Sequence, residues 1–182
     1  LTVSGNDADA ADLNALDGKT SVTVNAAAIK NIDGAVATGA ADVKAAYDAN
    51  ALKTISGLGN ETVDLSKATD ANASLVKAIN DYTTGVITLD TLNTATTGGN
   101  FSLSQLGDLK GITGLVEIAL VANNDAKDTI NISLKDLLAA NDSKGNFTFS
   151  VTGTEAGTDV VNVTNDLSGW TKAEVTLDLN YT

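Results

Sequence analysis

One local pattern recurs along this chain and constrains its fold more than any other feature. Two apolar residues alternate with polar ones, then Ser, Asp or Asn follows, and then Leu or Ile recurs at helical spacing. Alternating apolar residues predict a short strand, and the small polar residue is a favourable N-cap for a helix behind it. Five copies therefore predict a protein of short strand–helix repeats. Their strand and helix parts are residues 22–25 and 26–32, 63–66 and 67–79, 87–90 and 91–95, 101–104 and 105–109, and 130–133 and 134–140.

A longer internal similarity overlaps these copies at a constant offset in the sequence. Leu13 corresponds to Val76 at this offset, and Ile29 corresponds to Leu92. The similarity indicates two related units, although a chain rich in Ala, Thr and Leu also matches itself by composition. Two further helices are predicted, over residues 7–16 and 40–49.

From about residue 113 onward, the sequence favours more continuous strands. Phe147, Phe149 and Val151 alternate with polar residues, which is typical of half-buried antiparallel strands. The predicted fold class is therefore α+β: β-rich, with short strand–helix repeats in the N-terminal half and antiparallel β structure in the C-terminal part. We predict a repeat region, residues 1–112, and a β-rich region, residues 113–182, which also suit a single domain. The predicted C-terminal strands are residues 115–121, 128–132, 146–152, 159–164 and 172–181.

Five residue types, Pro, Cys, Met, His and Arg, are absent from the 182 residues. Without His and Cys, the chain has no imidazole base, no cysteine nucleophile and no zinc site of the usual nitrogen and sulfur type. We therefore predict no catalytic residues and no enzyme. A secreted hydrolase that uses carboxylates alone is kept as an alternative, after the two non-enzymatic functions given below. The net charge of −12 and the lack of Arg argue against nucleic acid as a partner.

The chain contains no apolar stretch long enough to cross a bilayer, so we expect no membrane span. It begins with Leu1 and shows no basic segment followed by an apolar one. We therefore expect that it contains no signal peptide. We also expect that it is a processed product or a piece of a larger protein.

The acidic residues suggest calcium at two places. Asp7, Asp9 and Asp12 lie close together, but an EF-hand loop counted from Asp7 would have Ala at its fifth position and Gly at its twelfth. The same cluster also suits the acidic first turn of a helix. Asp159 lies in one imperfect copy of a calcium-binding nonapeptide, where a hairpin turn is the alternative. These four residues are the candidate Ca²⁺ ligands, and we expect no other cofactor.

Asn-x-Ser/Thr sequons are about twice as frequent as the composition predicts by chance, which suggests glycosylation if the chain is a secreted glycoprotein. The alternative is that Asn and Thr are simply interleaved in β-rich repeats. The eight candidate acceptors are Asn60, Asn72, Asn100, Asn131, Asn141, Asn146, Asn162 and Asn180.

Three segments resemble a known class of repeats: residues 11–20, 39–50 and 55–66. They are similar to the Ala-, Thr- and Asp-rich repeats of giant secreted surface proteins of marine cyanobacteria and other Gram-negative bacteria, which often also carry calcium-binding nonapeptide repeats. The resemblance covers about residues 1–97, and its most specific element is Gly-Leu-Gly-Asn-Glu at residues 57–61. It implies an extracellular structural, S-layer-like or adhesive role and supplies no catalytic residues.

These observations together predict a non-enzymatic extracellular structural protein at the cell surface, a subunit or module of a bacterial surface layer, filament or large adhesin. We expect it to associate with identical subunits or with neighbouring modules of the same chain. The alternative is a phage or bacterial fibre or adhesin domain that binds a surface glycan. That alternative predicts an exposed cluster of the few aromatic residues, Tyr47, Tyr82, Trp170 and Tyr181.

Overall fold

The computed structural model describes residues 1–93, 100–107, 109–119, 129–140, 150–152 and 160–164. The α-helices in these residues are α1 Ala10–Asp17, α2 Gly39–Leu52, α3 Ala73–Tyr82 and α4 Leu134–Ala139, and short 3-10 helices span Leu103–Leu106 and Leu109–Gly111. The first seven strands are β1 Asp7–Asp9, β2 Val24–Asn25, β3 Asn31–Asp33, β4 Ile55–Ser56, β5 Thr62–Asp64, β6 Ile87–Thr88 and β7 Thr91–Asn93. The others are β8 Asn100–Ser102, β9 Ile112–Thr113, β10 Glu117–Ala119, β11 Thr129–Ser133, β12 Ser150–Thr152 and β13 Val160–Thr164.

The described strands pair in parallel, each with the matching strand of the next turn of chain. Asp7 lies opposite Asn31, and Asn31 lies opposite Thr62. The turn from Asp7 to Asn31 is among the shortest, and the turn from Glu117 to Ser150 is the longest in the described sheets. The part of the chain that the structure describes therefore coils as a solenoid in which each coil packs on its neighbours. The sheets are β1-β3-β5-β6-β9, β7-β10-β12, β8-β11-β13 and β2-β4.

The α+β class is confirmed, but the prediction of antiparallel β structure in the C-terminal part is wrong for the described strands. There β10 lies between β7 and β12 and is parallel to both, and β11 is parallel to β8 and β13. Alternating apolar residues indicate which face of a strand is buried, but they do not indicate the direction of its partner. The predicted strand over residues 172–181 lies outside the described residues, and the division at residues 112 and 113 stays a prediction.

The strand half of the repeated sequence pattern is confirmed at all five copies, but the helix half is confirmed in full only where α4 follows β11. After β2, the side chain of Asn25 accepts a hydrogen bond from the amide of Ala27 at 3.0 Å. After β5, Asp64 accepts one from the amide of Ser66 at 2.9 Å. In the first of these copies the predicted N-cap, Asn25, closes a tight turn itself. In the second the turn is closed by Asp64, two residues before the predicted N-cap Ser66. A side-chain oxygen of this kind can either cap a helix or close a turn.

The core is a set of stacked aliphatic columns. In the five-stranded sheet, Ile32, Val63, Ile87 and Ile112 lie in register and are buried, and Ala8 ends the column half-buried. Each such side chain contributes about 1.5–3 kcal/mol when fully buried, so many modest contacts hold the coils together. Parallel columns run through the other sheets as Val24 and Ile55, as Leu92, Ile118 and Val151, and as Phe101 and Ile130.

The three longer helices form a layer in which α2 packs between α1 and α3. The predicted helix over residues 7–16 begins only at Ala10, because Asp7–Asp9 pairs with β3 as a strand. Its N-cap is Asp9, whose side chain accepts from the amides of Ala11 and Asp12. Helix α2 extends over Gly39–Leu52 and so includes the whole predicted range of 40–49. No described helix is both long and apolar enough to cross a membrane.

Candidate functional site

The described calcium candidates lie at the first coil, where the structure gives their side chains local roles. Asp7 accepts a hydrogen bond from the side-chain amide of Asn31, and Asp9 caps α1. Asp12 is exposed in the first turn of α1, where a negative charge is favoured by the helix dipole. Asp159 lies outside the described residues. Among the residues that are described, no group of three or more acidic side chains is arranged to hold a metal ion, and calcium binding stays a prediction.

An acidic groove of about 410 Å³ lies on the outer face of the five-stranded sheet. Three of its carboxylates already accept hydrogen bonds: Asp7 from Asn31, Asp33 from the amide of Ala35, and Asp64 from the amide of Ser66. The carboxylates of Asp33 and Asp64 therefore serve turns of the coils, and that of Asp7 contacts the neighbouring strand. Its lining is Asp7, Asn31, Ile32, Asp33, Thr62, Val63, Asp64 and Thr88.

The most unusual polar group is Glu61, a carboxylate with no solvent exposure. Its Oε2 accepts three hydrogen bonds, from the amide of Gly59 at 2.7 Å, the amide of Asn60 at 3.1 Å and the hydroxyl of Tyr47 at 3.1 Å. Its Oε1 is buried without a hydrogen-bond partner among the described residues. Through the bonds to Gly59 and Asn60, the carboxylate holds the loop between β4 and β5. Because it is closed off from solvent, it has no exposed surface that could contact a substrate.

The same loop is fixed to α2 at a second point. The side chain of Asn50 donates to the carbonyl of Leu58 and accepts from its amide, both at 3.2 Å. Gly57 has φ of 93°, and a Cβ added there would lie 2.7 Å from the Cα of Ala27. Only glycine suits this position. The five-residue motif at 57–61 is thus a loop that Tyr47 and Asn50 of α2 lock in place.

Tyr47, which bonds to Glu61 of this loop, also forms an aromatic pair with Tyr82. Their ring centroids are 5.6 Å apart, and the angle between the rings is 17°. Tyr47 is buried, whereas Tyr82 is 39% exposed. The hydroxyl of Tyr82 donates to Oδ1 of Asp48 at 2.9 Å, and the ammonium of Lys44 donates to Oδ2 of Asp48 at 2.6 Å. A buried ring thus supports an exposed one, and a charged pair holds the exposed hydroxyl.

The pKa values of this cluster follow from burial and from these contacts. Burial raises the pKa of Tyr47; a hydrogen bond with Thr83 opposes this rise, and nearby Glu61 adds to it. The hydrogen bond from Lys44 lowers the pKa of Asp48, and the hydrogen bond to Asp48 raises the pKa of Tyr82. The helical spacing of the sequence predicts that both tyrosines pack on helices, but it does not indicate that Glu61 is the partner of Tyr47 or Asp48 the partner of Tyr82.

Only part of the predicted aromatic cluster can be placed. Tyr47 and Tyr82 lie together, but Tyr47 has almost no exposed surface. Trp170 and Tyr181 lie outside the described residues. Within the described residues, the exposed aromatic surface of this cluster therefore belongs to Tyr82.

The described sequons differ in what their side chains do. Asn60 is exposed in the loop beside Glu61. Asn72 caps α3 by accepting from the amide of Leu75, and the side chain of Asn162 donates to that of Asn131 across β13 and β11. Asn100 pairs in β8 through its backbone. Asn141, Asn146 and Asn180 lie outside the described residues, and glycosylation stays a prediction.

Comparisons of this chain with protein-family models, with curated proteins and with solved structures gave no significant match.

Proposed function

We propose that this chain is a non-enzymatic extracellular structural protein, a subunit or module of a bacterial surface layer, filament or large adhesin. The observation that carries the proposal is the in-register parallel stacking of β1, β3, β5, β6 and β9. A stack of this kind grows by one coil at a time without changing its cross-section, which suits a long spacer or a repeated surface module.

An open sheet edge supports self-association. Among the described strands, β1 pairs only with β3. The other edge of β1 therefore presents backbone N–H and C=O groups that a further strand can pair with. An identical subunit, or a neighbouring module of the same chain, would add a strand there by β-augmentation.

Two measurements test this proposal. Light scattering of the purified chain over about a hundredfold range of concentration, followed by negative-stain electron microscopy, should show ordered oligomers, filaments or sheets. Antibodies against the chain should label the surface of intact cells that make it. A strictly monomeric particle that attaches to no surface, together with labelling only of lysed cells, would contradict the proposal.

A second candidate function is the binding of a surface glycan by an adhesin or fibre domain. The observation in its favour is the exposed ring of Tyr82, which Asp48 and Tyr47 hold in one orientation. This candidate predicts saturable binding of oligosaccharides by the purified chain, whether or not the chain assembles.

A further inference from the structure

We propose that Tyr82, with Asp48, Lys44 and the loop at Gly59 and Asn60, forms a binding platform for a neutral oligosaccharide. The proposal rests on the second candidate function above and assigns that function to one surface. The surface lies where α2, α3 and the loop between β4 and β5 meet. We refer to these five residues as the Tyr82 platform.

The ring of Tyr82 is held in place before any ligand arrives. Tyr47 stacks on one face of the ring at a centroid distance of 5.6 Å, and Tyr82 as a residue is 39% exposed. The hydroxyl is bound to Asp48, which is bound to Lys44 in turn. A rigid tyrosine loses little conformational entropy when a ligand stacks on it, which favours its use as an anchor.

Hydrogen-bond donors and acceptors surround the ring. The side chain of Lys44 is 35% exposed and that of Asp48 is 40% exposed. On another side, a Cβ built on Gly59 would lie 3.7 Å from the carbonyl oxygen of Tyr82, so the loop with the exposed Asn60 runs beside it. Ammonium, carboxylate and amide groups together can both donate to and accept from the hydroxyls of a sugar.

Charge and size favour a neutral sugar as the occupant. The chain has a net charge of −12, which disfavours nucleic acids and acidic polysaccharides. One exposed ring with charged neighbours offers far less than the roughly 800 Å² that each partner buries in a stable protein interface. A neutral sugar has an apolar C–H face for the ring and hydroxyls at its edges for the polar groups, so it matches the Tyr82 platform.

The test is a titration of the isotope-labelled chain with maltohexaose, cellohexaose and chitohexaose, followed by amide chemical shifts. We expect saturable shifts at residues 44, 48, 59, 60 and 82 with at least one of these sugars. Tyr82→Ala should weaken that binding at least about tenfold, because it removes the stacking surface. Val116→Ala is the matched control, since Val116 is 41% exposed and lies beside β10, and it should leave the affinity unchanged.

A variant that leaves the aromatic pair intact guards against a folding artefact. Lys44→Ala removes an exposed ammonium and should weaken sugar binding about threefold with the amide spectrum otherwise retained. If none of the three sugars causes saturable shifts, both the platform and the glycan function are refuted. If the shifts occur but map to the acidic groove and persist in Tyr82→Ala, only the platform is refuted. If Tyr82→Ala changes the light-scattering mass but not sugar binding, the surface is a contact between copies and the platform is again refuted.

Discussion

The hydrogen bond between Tyr47 and Glu61 gives the sharpest stability prediction. Tyr47→Phe removes only a hydroxyl that is buried and donates to Oε2 of Glu61 at 3.1 Å, and it keeps the ring on Tyr82. Hydrogen bonds to charged groups contribute about 1.5–3 kcal/mol, and this one is long for a hydroxyl donor. We therefore expect the free energy of unfolding to fall by about 1.5 kcal/mol.

A double-mutant cycle isolates this bond from the rest of the loop. Glu61→Gln keeps a carbonyl oxygen that can take the place of Oε2, but it turns a charge-assisted bond into a neutral one of about 0.5–1.5 kcal/mol. Tyr47→Phe should therefore cost less in the Glu61→Gln background than in the wild type. The expected coupling free energy is about 0.5 kcal/mol, the difference between the charged bond and a neutral one in the middle of its range.

Urea unfolding followed by circular dichroism measures each corner of the cycle. With a slope of about 2 kcal/mol per molar urea, Tyr47→Phe should lower the midpoint by about 0.7 M. Tyr82→Phe is the matched control, because its hydroxyl bonds to the half-exposed Asp48, and it should cost less than about 1 kcal/mol. The reasoning is refuted if the free-energy costs of Tyr47→Phe and Glu61→Gln add up to the cost of the double variant within about 0.3 kcal/mol. It is also refuted if Tyr47→Phe and Tyr82→Phe lower the free energy of unfolding by the same amount.

Three further predictions concern other parts of the described structure. Burial raises the pKa of Tyr47 above the value of 10.0 in the unfolded chain, so its contribution to stability is complete below that pH and is lost as pH rises above it. The urea midpoint should therefore drop from pH 9 to pH 11, and Tyr47→Phe should make that drop smaller; an equal drop in both proteins would rule this out. Gly57→Ala should cost about 2–3 kcal/mol, because the new Cβ would meet Ala27 at a φ of 93°. Gly107→Ala, at a similar φ of 90° but with the side-chain amide of Asn80 at 3.2 Å in place of a backbone at 2.7 Å, should cost about 1 kcal/mol, and equal midpoints in urea would contradict this difference. Asp70→Ala should cost about 1–2 kcal/mol and speed amide exchange in the first turn of α2, whereas Asp81→Ala, at an exposed ion pair, should change stability by less than about 0.5 kcal/mol.

The sequence predicts the strands of this fold better than their partners. Residues such as Ile130 and Ile132 alternate with polar ones and pack inward, as their spacing indicates. Ile130 lies opposite Phe101 of β8 and Val161 of β13, each a whole coil away along the chain. Strand direction depends on how the intervening chain crosses the coil, and alternation carries no information about that path.

Helices were over-predicted after the strands for a related reason. An Asn or Asp that follows a strand can cap a helix, as Asp9 does, or close a turn, as Asp33 does with the amide of Ala35. The side-chain chemistry is the same in both cases. Whether a helix or a turn forms depends on the path back to the next coil, which packing between coils decides.

The sequence does not reveal the contacts around Glu61, because the residues that make them lie far apart along the chain. The motif at residues 57–61 stands in one piece in the sequence, but its Glu61 is held by Tyr47, which lies 14 positions earlier on helix α2. Asp70 likewise caps α2 from the next coil, through bonds to the amides of Ala40 and Ala41 at 2.9 Å and 2.8 Å. The nominal N-cap of that helix, Thr38, makes no capping bond. Such contacts are set by the stacking of coils, so local signals cannot reveal them.

The acidic charge of the chain can be explained in part by the same turn chemistry. Asp9, Asp33 and Asp64 lie directly opposite one another in β1, β3 and β5, and each accepts from an amide at the end of its strand. Like charges placed opposite one another across strands destabilise a sheet. The turn needs only the side-chain oxygen, and Asn25 supplies one at the end of β2 without a charge.

Because an Asn side chain offers the same oxygen without the charge, replacing these aspartates by Asn tests whether their charge has a role of its own. Replacing Asp9, Asp33 and Asp64 together by Asn keeps every acceptor and takes the net charge from −12 to −9. If the charge merely accompanies the turns, the triple variant should be about 0.5–1 kcal/mol more stable than the wild type at low salt, and the difference should shrink as salt is added. If Asp9, Asp33 and Asp64 instead bind Ca²⁺, calcium should raise the urea midpoint of the wild type and not that of the variant. Because both proteins keep the same hydrogen-bond acceptors, a variant that unfolds at low urea whatever the salt or calcium would refute the claim that an amide oxygen suffices at these turns.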